Sequence, residues 1–85
     1  MKTFNYVIKD EVGIHARPAG ILVKEAKKYQ SKIVVIKDGK KAEATKLMSL
    51  MGLGVKCGDP VMIEISGEDE ETASRNIQAF FENNL

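Results

Sequence analysis

The sequence predicts an α+β domain, an open-faced two-layer sandwich in which a four-stranded antiparallel sheet is covered by helices on one face. Three observations carry this prediction. Residues 3–8 and 60–66 alternate polar and apolar side chains, as half-buried strands do. A β-branched run, Lys32–Lys37, leads into Asp38-Gly39, a two-residue turn favoured in hairpins. Between and after these segments, apolar residues recur at helical spacing for long enough to make two covering helices.

Taken in order, Thr3 to Ile8 is the first strand, with Phe4, Tyr6 and Ile8 on one face. A loop from Lys9 to Ile14 leads into His15-Ala16-Arg17-Pro18. Proline is tolerated only in the first turn of a helix, so the first helix starts near Ala16. Its buried stripe is Ala19, Leu22, Val23 and Ala26. Lys32–Lys37 and Lys40–Ala44 form a hairpin around Asp38-Gly39. Thr45 to Gly52 makes a brief helix, ended by Gly52 and Gly54. Pro60 to Ser66 is the last strand, with Val61, Ile63 and Ile65 inward. Asp69, Glu70 and Glu71 open the final helix and set negative charge at its positive end. Ala73, Ile77, Phe80 and Phe81 are its buried face. The element order is β-α-β-β-α-β-α.

With 85 residues there is room for one domain, residues 1–85, and only a thin core. Such a domain presents a surface site more readily than a deep pocket, which suits a carrier or binding module. The net charge of +1 argues against general nucleic-acid binding, which calls for a strongly basic surface. Apolar runs reach only about five residues, far short of the ~18 that cross a bilayer, so no membrane insertion is expected. MKTFNYVIKD lacks the apolar region of a signal peptide, and a single Cys forms no internal disulfide; both fit the cytoplasm. One Cys and one His cannot build a zinc site, and no cofactor is called for. Cys57 reads as an ordinary loop residue, because nothing around it activates a thiol.

The one histidine, His15, falls at the start of the first helix. The unpaired N–H groups and positive dipole end of a helix start bind anions such as phosphate, here at Ala16, Arg17 and Pro18. The same field favours a neutral, nucleophilic ring over an imidazolium. Arg17 can present a planar donor fork to phosphate oxygens, and Pro18 stiffens the turn. An imidazole nitrogen attacking phosphorus gives a phosphohistidine, a covalent intermediate suited to passing the group on. Arg17, Gly20, Lys24 and Lys27 form a stripe along the helix, either a solvated face or a docking strip for an acidic partner. Leu47, Met48, Leu50 and Met51 make the short helix unusually apolar. One turn buries about half of them and leaves the rest as an adaptable contact patch.

Gly13-Ile14-His15-Ala16-Arg17-Pro18-Ala19 resembles the active-site segment of HPr, the histidine-containing phosphocarrier family of the bacterial sugar phosphotransferase system. The resemblance extends to Asp38-Gly39-Lys40, Leu53-Gly54 and Gly67-Glu68-Asp69-Glu70, and so to nearly the whole chain. It implies the sheet order 1-4-2-3. It also implies that His15 takes phosphate on Nδ1 from enzyme I, which is charged by phosphoenolpyruvate, and passes it to IIA domains of sugar permeases. Arg17 then steadies the phosphoryl group, and Gly20, Lys24, Lys27, Leu47, Met48 and Met51 dock the partners of a monomeric carrier that is not itself an enzyme. A regulatory HPr-like binding module and a nitrogen-branch carrier are the alternative readings. One departure is plain: the family's regulatory serine aligns with Lys46, which has no hydroxyl to phosphorylate. Lys46 cannot cap the short helix and opposes its dipole, so Thr45 is expected to take over the cap. Thr45 and Ser49 are the hydroxyls left near that position.

Overall fold

The structure, a computed structural model describing residues 1–85, places the elements in the expected order. They are β1 (Lys2–Val7), α1 (Ala16–Ala26), β2 (Lys32–Lys37), β3 (Lys40–Glu43), α2 (Leu47–Gly52), β4 (Pro60–Ser66) and α3 (Glu70–Asn84). The strands form one antiparallel sheet in the order β1-β4-β2-β3. β4, the last strand in sequence, therefore lies between β1 and β2. Ile63 faces Phe4 on one side and Val35 on the other, and Ile65 faces Lys2 and Ile33.

Alternation decides which face is covered. Ile33, Val35, Val61, Ile63 and Ile65 all point inward and are essentially fully buried, whereas Lys32, Met62 and Ser66 lie on the open face. Pro18, Ala19, Leu22 and Ala26 of α1 pack down on the inner face, as do Ala73, Ile77, Phe80 and Phe81 of α3. Val23 is only partly buried at the margin of this core. Phe81 is the centre of an aromatic group, with Phe4, Tyr6 and Phe80 each edge-on to it at 5.6–6.3 Å. Consequently neither aromatic of β1 is presented to solvent on the open face, where a single-stranded nucleic acid would need one for stacking.

Several boundaries differ from the sequence expectation, each for a local reason. Ile8 lies just past β1, although it is buried, because its N–H and C=O turn to the loop residues Asp59 and Gly58. β3 ends at Glu43 rather than Ala44, although the Ala44 N–H still reaches Ile33 O at 2.8 Å. α2 starts at Leu47 rather than Thr45, and its N-cap is Lys46, with no side-chain hydrogen bond at the cap. Thr45 lies one residue too early to cap, so the expected substitution of its hydroxyl for a serine does not occur. Of the four apolar residues in α2, only Leu50 is buried, fewer than the half expected, because this short helix packs against α1 and β3 and leaves its other sides to solvent. The chain reverses after α2 at Gly54, whose φ of +66° is open to glycine, rather than at Gly52, which is still helical.

Asp69 opens α3 as its N-cap, as expected, but its carboxylate does not cap that helix. It reaches across to the connection between α1 and β2 and accepts hydrogen bonds from the N–H groups of Gln30 and Ser31 and from the Ser31 hydroxyl. These bonds, the hydroxyl's first among them, hold its carboxyl below the ordinary aspartate range. The start of β2 is thereby tied to the start of α3.

Candidate phosphoryl-accepting site

The site begins with a tight loop. The Asp10 carboxylate accepts the N–H groups of Val12 at 2.9 Å and Gly13 at 3.2 Å, an Asx-type turn that folds residues 10–13 back on themselves. Gly13 then adopts φ +86° and passes so close to the next loop that a Cβ there would stand 2.2 Å from the Val55 carbonyl oxygen. Ile14 donates its N–H to that same oxygen at 3.1 Å. His15 follows as the N-cap of α1 in an extended conformation.

From this point the backbone offers donors. Ala19 N–H makes the first bond of the helix, to His15 O at 2.9 Å, and Pro18 has no N–H. The helix-start donors left without an intrahelical partner are therefore those of Ala16 and Arg17. Pro18, named with them from the sequence, contributes no donor; it is buried and anchors the turn. The Arg17 side chain is exposed and takes part in none of the chain's ion pairs, so its guanidinium is free.

His15 is partly exposed, and its Nε2 lies 3.9 Å from Asp10 Oδ1. That separation is too long for a hydrogen bond but within range of electrostatic attraction for a proton on Nε2. His15 and Arg17 share a shallow depression of about 220 Å³ with Asp10, Pro18, Ile21 and Asn84. The depression is open to solvent, wide enough for a phosphoryl group and too shallow to enclose a larger substrate. No cluster of three or more His, Cys, Asp or Glu residues is arranged to hold a metal ion.

Three contributors were not singled out from the sequence. Asp10 had a readable signal, since Asp-x-x-Gly is a common Asx-turn pattern. Ile21 and Asn84 had none. Asn84 is brought in by α3, whose C-terminal end closes on the loop: the Leu85 oxygen accepts the N–H groups of Lys9 and Asp10.

The surrounding surface divides as follows. Gly20 is half-buried and Lys24 is exposed on α1, while Lys27 is exposed just beyond its last turn. On α2, which packs on α1, Met48 is 78% exposed, and Leu47 and Met51 are exposed too. Lys46 pairs with Glu43 at 3.4 Å, so its charge is partly answered. Cys57 lies in the exposed loop before β4, and no helix in the chain is long and apolar enough to cross a membrane.

The family model described as "PTS HPr component phosphorylation site" matches residues 2–83. Phosphocarrier protein HPr of Mycoplasma genitalium is 45% identical over 85 residues, covering 99% of this chain and 97% of the relative. The HPr-like protein Crh of Bacillus subtilis is 38% identical over 73 residues, covering 86% of each chain. Among solved structures, HPr of Thermoanaerobacter tengcongensis superposes with a TM-score of 0.91 at 41% identity, covering 96% of this chain and 92% of its own. A histidine at a helix start, its free donors and unpaired arginine, the β1-β4-β2-β3 sheet and these likenesses agree: the chain belongs to the HPr family of phosphotransferase-system phosphocarriers.

Proposed function

We propose that this chain carries a phosphoryl group on His15, received from phospho-enzyme I and delivered to IIA domains of sugar permeases. The observation that carries the reading is the convergence of His15, the free Arg17 guanidinium and the unpaired Ala16 and Arg17 N–H groups at one open depression. A neutral imidazole attacks through the nitrogen that bears no proton. Nδ1 is the attacking atom that the family resemblance implies, and the proton then stays on Nε2, the nitrogen on the side of the Asp10 carboxylate. The phosphorus–nitrogen bond of the donor breaks as the bond to Nδ1 forms. Arg17 and the two N–H groups then take up the phosphoryl oxygens. Delivery to the acceptor reverses the step, and the shallow seat lets donor and acceptor dock in turn.

Gly20, Lys24 and Lys27, with Leu47, Met48 and Met51, form the docking face. Its basic edge steers acidic partners and its methionines adapt to more than one of them. In this reading the chain works in the cytoplasm as a monomer, a state that sedimentation velocity tests. It is not an independent enzyme, and Lys46 removes the serine switch.

Incubation with enzyme I and phosphoenolpyruvate is expected to leave an acid-labile, base-stable phosphate on the chain, and His15→Ala to abolish it. A label that survives His15→Ala would refute the assignment. Arg17→Ala is expected to slow transfer while leaving the fold intact. A second reading, a regulatory binding module, is favoured by the likeness to Crh. Efficient turnover to a sugar IIA separates the carrier from that module, and comparison with a nitrogen-branch IIA separates the two kinds of carrier.

A further inference from the structure

We infer that Lys37, at the far end of β2, is a positioning residue for phosphoryl acceptance at His15, acting through the loop Gly54–Asp59. The inference rests on the reading of His15 as the acceptor. The Lys37 ammonium donates to Gly54 O at 2.9 Å and pairs with Asp59 Oδ2 at 3.1 Å. It thus ties together the first and last residues of an irregular segment that no helix or strand supports. Asp59 Oδ2 also accepts the Lys56 N–H at 2.8 Å, which closes the loop on itself. The side chain of Lys37 is only 19% exposed, unlike the ordinary surface lysines of the chain.

That stapled loop is the platform on which the acceptor loop rests. Val55 O receives the Ile14 N–H, and its carbonyl and the Lys56 Cα fill the space where a Gly13 Cβ would be. At its other end Gly58 N–H donates to Ile8 O, and Asp59 O accepts the Ile8 N–H. Residues 8–14, which carry Asp10 and deliver His15, are therefore bonded at both ends to a segment whose own ends are held by one ammonium. A solvated surface ion pair contributes little to stability, but here the same charge fixes a backbone carbonyl and the spacing of the two ends of one loop. Losing it loosens the seat rather than the fold.

The test uses the full chain as Lys37→Met, Lys37→Arg and Asp59→Asn, with two readouts. One is hydrogen exchange of the Ile14 amide, compared with that of Val35 in the core. The other is the rate at which His15 takes phosphate from phosphoramidate, a reaction that releases ammonia, and from phospho-enzyme I. Lys37→Met is expected to speed Ile14 exchange and slow acceptance from both donors by about three- to tenfold, as for partly solvated charged hydrogen bonds. Val35 protection stays unchanged, and Lys37→Arg restores both rates. Unchanged Ile14 exchange, or faster exchange with unchanged acceptance, overturns the inference. If Lys37→Met also loosens Val35, Asp59→Asn decides: it must show the same paired effect, or the inference fails. A wild-type chain that takes no phosphate from enzyme I overturns the carrier reading instead, while phosphoramidate and hydrogen exchange still judge Lys37.

Discussion

Gly13→Ala measures how tightly the acceptor loop is pressed against its neighbour. Two costs add at this position. The first is conformational: φ is +86°, and an L-residue in the left-handed region costs about 1–2 kcal/mol relative to glycine. The second is steric. The new methyl would stand 2.2 Å from Val55 O and 2.7 Å from Lys56 Cα, both backbone atoms that cannot rotate away. Reaching ordinary contact needs the two loops to part by about 1 Å, which lengthens the 3.1 Å Ile14–Val55 hydrogen bond past usefulness, at about 1 kcal/mol. The expected total is about 2–3 kcal/mol. Gly39→Ala is the matched control: φ is +80° in the hairpin turn, yet nothing lies within 4 Å of the added methyl. That variant carries only the conformational cost, about 1–2 kcal/mol. Urea unfolding of both variants at a shared m-value reads the difference, and thermal scans should place Gly13→Ala at least about 5 °C below Gly39→Ala. Equal losses in the two variants would show that the loops are not in the close contact described and would undo the account of how His15 is positioned.

Three further outcomes are expected. Asp69 has its carboxyl lowered chiefly by the Ser31 hydroxyl and then by the Gln30 N–H, so its stabilising effect is present above the unfolded-state value and is lost as pH falls through the lower folded-state value. The stability gap between wild type and Asp69→Asn should therefore be open at pH 7 and close on acidification below about pH 4; a gap constant with pH refutes this. The Tyr6 hydroxyl is buried without a hydrogen-bond partner, so Tyr6→Phe should leave the unfolding midpoint unchanged or raise stability by about 1 kcal/mol, and a clear loss would reveal a missed partner. Lys46→Ser replaces a lysine that cannot cap α2 with a residue that can, and should gain about 0.5–1 kcal/mol in urea unfolding. A loss instead would mean that the Glu43–Lys46 pair outweighs the cap.

Much of the site was legible because its grammar is local. Pro18 marks the helix start, His15 immediately precedes that helix, and Arg17 lies within its first turn, so their neighbourhood follows from a few bonds of chain. The same holds for the Asp38-Gly39 hairpin, where both residues adopt positive φ, and for the inward alternation of Val61, Ile63 and Ile65. Local rules also explain the misjudged cap. Thr45 is suitable by type, but a cap must occupy the residue just before the helix, and α2 begins at Leu47, so that residue is Lys46.

By itself, then, the sequence determined the strands and helices, the face most of them bury and the meeting of His15 and Arg17 at a helix start, because periodicity, turn residues and capping act over a few residues. Its resemblance to a known family supplied the strand order that periodicity left open. Only the tertiary structure decided what meets that histidine from afar. The insertion of β4 between β1 and β2 carries Val55 under Gly13. The end of α3 brings Asn84 to the depression, and Lys37 finds Gly54 and Asp59 across 17 and 22 positions of chain. Such contacts form when loops close and layers pack, and no short-range pattern records which residues will then touch.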